Sequence, residues 1–126
     1  MKKNRKAPVI SFDFTHPSGK PYALCSPVCY LSERYKKHVF MRAGYRSDGA
    51  TGGSDVVSLA WFVHDKLCET GVFRDGTPCT VWQASRILSD ILHEEGRHAR
   101  EKIWFLPTLL FGGGKCRDNG IFWRKK

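Results

Sequence analysis

Ile10, Phe12 and Phe14 alternate with Ser11 and Asp13, the period-two signature of a strand with one face in a core. Pro17-Ser18-Gly19-Lys20-Pro21 then turns the chain, and Val28-Cys29-Tyr30-Leu31 and His38-Val39-Phe40-Met41 carry further β-formers. Residues 8–46 therefore predict a small antiparallel β-sheet. Beyond it the period lengthens. Val57, Ala60, Trp61, His64 and Cys68 recur at helical spacing after a cap at Ser54 or Asp55, and Gly71 stands where that helix should stop.

Residues 73–79 read as a loop, and Thr80-Val81-Trp82-Gln83 reads as a capping box opening a second helix that ends near Gly96, with Ala84, Ile87, Leu88, Ile91 and Leu92 on its apolar side. The connection is short enough to make the two helices antiparallel neighbours. A third helix is expected over residues 97–111, interrupted near Pro107 and ended by Gly112-Gly113-Gly114, and the aromatic stretch that follows is short enough to pack back on the domain. The pattern thus predicts an α+β fold: a small N-terminal antiparallel sheet, two antiparallel helices and a third, C-terminal helix. No repeat or linker divides the chain, so residues 1–126 are expected to form one domain.

The formal net charge of +9 changes this picture only at the ends. Lys2, Lys3, Arg5, Lys6, Arg124, Lys125 and Lys126 supply seven of the 21 basic residues; without them 14 basic face 12 acidic residues. The excess belongs to tails at about residues 1–7 and 123–126, suited to an anionic partner such as a nucleic acid or membrane surface, or simply to solvation. No apolar run is long enough for a transmembrane segment and none follows the basic start as a signal peptide would, so the chain is expected to stay in the cytoplasm where it is made or to leave by a route needing no signal. Five cysteines, Cys25, Cys29, Cys68, Cys79 and Cys116, form no disulfide framework and read as free thiols.

Chemistry concentrates around His64 and Asp65. His64 lies on the apolar face of the first helix, one turn from Trp61 and one from Cys68, whereas Asp65 is rotated about 100° around the axis. An inward imidazole can serve as general base for a water, and an adjacent carboxylate can hold a cation. The same pair also reads as a core histidine beside a solvated aspartate. Four glycines and two aspartates between Gly44 and Asp55 precede the helix. Such a loop can turn carbonyls together around Ca²⁺ with Asp65, or it can be a plain turn; it does not fit the EF-hand pattern.

Three weaker constellations are present. His93-Glu94-Glu95-Gly96-Arg97-His98 resembles a zinc-protease motif superficially, with the histidines wrongly spaced and Gly96 between them. Cys25, Cys29, His64 and Cys68 offer the residue types of a Cys3His zinc site, although buried free cysteines are the commoner outcome. The C-terminal Trp and Phe residues read as core or interface more readily than as a nucleic-acid stacking surface.

Pro27-Val28-Cys29-Tyr30, Phe40-Met41-Arg42-Ala43-Gly44-Tyr45-Arg46-Ser47-Asp48-Gly49-Ala50-Thr51 and Ala60-Trp61-Phe62-Val63-His64-Asp65-Lys66-Leu67 together resemble a small family of uncharacterised proteins of tailed bacteriophages and prophages. That family carries a threonine-aspartate-glycine-alanine-serine loop ahead of a histidine-aspartate-tyrosine-leucine helix. The resemblance spans residues 22–114 and implies a phage or prophage origin, with other phage proteins or a host factor as partners and incorporation into the virion as an alternative location. More distantly, the glycine-rich loop, the His-Asp helix and an antiparallel second helix are similar to secreted phospholipase A2. That likeness implies His64 as base and Asp65 as calcium ligand, with loop carbonyls of Tyr45, Ser47, Asp48 and Gly49 completing the site. The orienting position falls near Ser85, where a hydroxyl replaces a carboxylate, and Asp90 faces another direction. The leading expectation is a phage accessory protein with a calcium-dependent, ester-hydrolysing His-Asp pocket. The alternatives are a non-enzymatic virion or assembly component and a host-factor-binding protein.

Overall fold

The structure is a computed structural model that describes residues 10–13, 15–47, 59–95 and 114–121. Strands come first and helices after, as the change of period requires: β1 (Ile10–Phe12), β2 (Tyr22–Leu24), β3 (Val28–Ser32), β4 (Lys37–Met41), β5 (Arg46–Ser47), α1 (Leu59–Thr70), α2 (Val81–Glu94) and a short α3 (Cys116–Asn119). The architecture is α+β, with antiparallel pairing throughout. The expected helix at residues 97–111, the cap at Ser54 or Asp55 and the basic tails lie outside the described residues.

In place of one sheet there are two. β1, β2 and β5 form a three-stranded sheet in that order, and β3 and β4 form a separate hairpin. The hairpin turns through residues 33–36, with Lys36 at φ 56° and its N–H donating to Ser32 O at 2.8 Å. Its alternation is clean: Tyr30, Ser32, Val39 and Met41 are buried, while Cys29, His38 and Phe40 face out. β5 passes the hairpin by because the backbone on either side of Gly44 already pairs with β2. Gly44 N donates to Leu24 O at 2.7 Å and Leu24 N to Tyr45 O at 2.9 Å.

The deep burial of the first half of α1 follows from its position. It packs against α2, β4, β5 and α3, so Leu59 through His64 and Leu67 are all buried. α2 is the amphipathic one: Val81, Ala84, Ile87, Leu88, Ile91 and Leu92 enter the core, and His93 and Glu94 are exposed. The end of α1 and the start of α2 are held together, Cys79 N donating to Gly71 O at 2.9 Å, so the packed helices run in opposite directions.

The C-terminal segment returns as expected and closes both helix ends. At α1, Lys115 N donates to Cys68 O at 2.7 Å and the Cys116 thiol to Leu67 O at 3.2 Å. At α2, Val81 N and Trp82 N donate to Gly120 O and Ile121 O at 3.1 and 2.7 Å. The next donor, Gln83 N, goes to Thr80 Oγ1 at 3.2 Å, and Gln83 Oε1 accepts from Thr80 N at 3.0 Å, completing the capping box. The four donors that an α-helix leaves unpaired at its start, the N–H groups of Thr80, Val81, Trp82 and Gln83, thus all have protein acceptors, and Ala84 N makes the first regular helix bond to Thr80 O at 3.0 Å. Gly71 serves this junction twice. Its φ of 72° ends α1, and a Cβ there would stand 3.1 Å from Lys115 Cβ.

Candidate functional site

The site begins with the face of α1 that carries His64. Trp61, one turn earlier, meets the imidazole edge-on at a centroid distance of 6.3 Å and an interplanar angle of 79°. One turn later the Cys68 sulphur lies 3.6 Å from Nδ1 and 3.8 Å from Nε2. A sulphur nearly equidistant from both ring nitrogens is aligned on neither lone pair, so packing contributes to this contact as much as hydrogen bonding does. The ring points inward as its helical position predicts, leaving the residue 6% exposed.

Asp65, next along the chain, is half-buried on a different face, where its Oδ2 accepts the Ser47 hydroxyl at 2.6 Å. Ser47 is the last residue of β5 and fully buried, so the bond brings the acid to the stem of the glycine-rich loop. One turn further, Glu69 Oε2 accepts the Tyr45 hydroxyl at 2.9 Å, and Lys66 Nζ stands 5.3 Å from the centroid of the Tyr45 ring. Burial first, and then the bond to Glu69, push the Tyr45 phenol far above its ordinary range. Asp65, Lys66 and Glu69 therefore anchor one edge of the three-stranded sheet to α1.

The structure brings Asp65 to Ser47 and Glu69 to Tyr45, at β5 and the residue before it, while His64 turns from a different face of α1 to Trp61 and Cys68. Tyr45 contributes less as a cation ligand than the sequence suggests, because its carbonyl accepts the Leu24 N–H within the sheet pairing. Asp48 and Gly49 lie outside the described residues. Ser85 is fully buried on α2, but it is not among the partners of the His64 ring, which are Trp61 and Cys68 among the described residues. Asp90 faces away from His64, as its helical position predicts, and takes the Arg34 guanidinium in a fork at 2.8 and 2.9 Å. That fork forms one side of an open depression of about 410 Å³ lined by Tyr30, Glu33, Arg34, Asp90, His93 and Glu94.

Sequence reasoning missed Glu69, although it follows Asp65 at i+4 on the same helix face. It also missed the grouping of thiols beyond His64. Cys68 on α1, Cys116 at the start of α3 and Cys79 in the inter-helix connection lie at one junction, where Lys115 N donates to Cys68 O, the Cys116 thiol to Leu67 O, and Cys79 N to Gly71 O. The neighbouring Cys116 thiol, then burial, push the Cys68 thiol far above the ordinary cysteine range against an opposing pull from His64. For Cys116, the lowering effect of the Cys68 thiol is outweighed by the Cys79 thiol and by burial, so this thiol too is raised.

Among the described residues no group of three or more His, Cys, Asp and Glu side chains is arranged to hold a metal ion. Cys25, Cys29, His64 and Cys68 therefore do not assemble a Cys3His site. The alternation of β3 is the reason: it turns Cys29 outward beside Phe40, where Arg74 Nη1 donates to its sulphur at 3.3 Å, while His64 faces the core. His93 is exposed at the end of α2 and His98 lies outside the described residues, so the protease-like stretch is not a described site. No described helix is long and apolar enough to cross a membrane. Comparison of the chain with protein-family models, with curated proteins and with solved structures finds no match.

Proposed function

We propose that the chain is an accessory protein of a bacteriophage or prophage whose His64–Asp65 pair is a phospholipase-like centre for calcium-dependent ester hydrolysis. The observation that carries this reading is the 2.6 Å bond from Ser47 to Asp65, which sets the acid at the stem of the glycine-rich loop with the imidazole next to it in sequence. In that reading His64 takes a proton from the attacking water, and Asp65 with loop oxygens would hold the cation that polarises the ester carbonyl. Ser85 would then support the pocket wall without touching the imidazole.

The test is release of fatty acid from mixed phospholipid vesicles in the presence of calcium. The expected result is turnover that chelation stops, that His64→Gln lowers by about 100-fold or more, and that Asp65→Asn makes insensitive to calcium. An inert protein at millimolar-scale calcium removes the hydrolase reading. A second reading is favoured by the ring neighbours of His64, a tryptophan edge and a thiol, which suit a core histidine. Under it the chain is a non-enzymatic virion or assembly component, or a host-factor-binding protein, and the basic tails hold an anionic partner. Detection of the chain in purified particles, with salt-sensitive binding lost on removal of both tails, is the outcome expected there.

A further inference from the structure

Three thiols converge where α1, the inter-helix connection and the C-terminal segment meet, and they are unequal. Cys79 and Cys116 are fully buried, whereas Cys68 is partly exposed. The backbone fixes the approach: Lys115 N is bonded to Cys68 O at 2.7 Å and the Cys116 sulphur to Leu67 O at 3.2 Å, so Cys116 sits on the α1 turn that carries Cys68. A Cβ on Gly114 would come within 2.5 Å of Cys68 O, which shows how closely the returning chain lies against this turn.

We propose that Cys68 and Cys116 are a redox pair that closes into a disulfide by exchange with a low-molecular-weight disulfide, fastening the C-terminal segment to α1. Cys68, the accessible thiol, reacts first. It loses its proton to solvent, and the thiolate attacks one sulphur of the small disulfide. A mixed disulfide forms on Cys68, and one small thiolate leaves and is reprotonated. Cys116 then attacks the Cys68 sulphur, the new S–S bond joins the two residues, and the second small thiol departs with the Cys116 proton. Two protein thiols are oxidised and one external disulfide is reduced to two thiols.

Full burial of Cys116 and partial burial of Cys68 favour the protonated thiols where reductants prevail, so closure belongs to oxidising conditions. Cys79, fully buried at the same junction, is the competing partner. The two elements joined are the ones whose contact closes both helix ends, so the covalent link acts where the fold is held together. This proposal does not rest on hydrolysis, and Asp65→Asn is expected to close at the same rate.

The experiment uses the full chain with Cys25→Ser and Cys29→Ser, which remove the two exposed thiols. After exposure to oxidised glutathione the chain is expected to lose the mass of two hydrogen atoms. Digestion should then yield the Cys68 and Cys116 peptides joined, and dithiothreitol should reverse both changes. With Cys116→Ser added, Cys68 should accumulate as a glutathione adduct. Hydrogen exchange over residues 114–121 should slow by about tenfold or more in the oxidised form. A folded protein in which Cys68 and Cys116 stay reduced, or in which Cys116 joins Cys79, overturns the proposal.

Discussion

At the residue scale the most consequential contact is the one between Ser47 and Asp65, because it ties a two-residue strand to a helix through a single buried hydroxyl. Replacing Ser47 with alanine removes a hydrogen bond to a carboxylate in a partly desolvated place, a loss of about 1.5–3 kcal/mol. Asp65→Asn should cost less, since an amide oxygen still accepts from the hydroxyl. Chemical denaturation of the two single variants and the double variant would show the coupling; strictly additive losses would mean that the bond contributes nothing beyond its parts. Asp75 makes a second, titratable case. Its carboxylate is held below the usual range first by Lys37, 2.6 Å away, and then by the Thr77 hydroxyl and N–H. A depressed folded-state pKa stabilises the fold above the unfolded value near 3.8, and that contribution disappears as pH falls towards the folded value. The melting temperature of the wild type should therefore exceed that of Asp75→Asn at pH 6, and the difference should shrink steadily below pH 4. A difference that persists unchanged at pH 2 would show that the carboxylate charge is not its source.

At the element scale α2 depends on local chemistry at its start. Thr80→Ala deletes the acceptor for Gln83 N and should lower stability by about 1 kcal/mol, with Thr80→Ser recovering most of it; urea unfolding reads both. That capping box was legible in the sequence because its donors and acceptors lie within four residues. So were the β3–β4 hairpin, whose alternation runs without a break, and the glycine stop at Gly71, whose positive φ few other residues adopt. Strands β2 and β5 were not legible. They are three and two residues long, and what makes them strands is pairing between segments over twenty residues apart, beginning with Tyr22 and Ser47. The site divides in the same way. His64 turns inward as its helix face predicts, and Asp65 lies off that face by the stated rotation. Helical period gives the direction of a side chain but not the offset between two packed helices, so it could not place Ser85 against His64. Nor could it bring Cys116 to Cys68, since only the tertiary return of the chain makes that contact.

At the scale of the whole molecule the C-terminal segment works as a clip across two helix ends, and Asn119 is its centre. The Asn119 amide donates from Nδ2 to Gly71 O at 2.6 Å and to Cys79 O at 2.9 Å, one carbonyl just past the end of α1 and the other just before the start of α2. Gly71 O also accepts the Cys79 N–H, so the amide reinforces a backbone bond there and adds a second tie at Cys79 O. Asn119→Ala takes the amide from both carbonyls, Gly71 O keeping the Cys79 N–H while Cys79 O loses this donor, and should reduce stability by about 1–2 kcal/mol, a few degrees in melting temperature for a domain of this size. Because the same side chain touches both helices, the loss should be shared by them. Tryptophan fluorescence and the slowest-exchanging amides of α1 and α2 should fall at one midpoint, lower than in the wild type by the same amount. If α2 alone loosened while α1 kept its protection, the clip would be an appendage of the second helix, and closing it covalently at Cys68 would have little to transmit. A common shift would instead mean that any event acting on residues 114–121 reaches α1, the helix that carries His64 and Asp65, through the packing that holds the fold together.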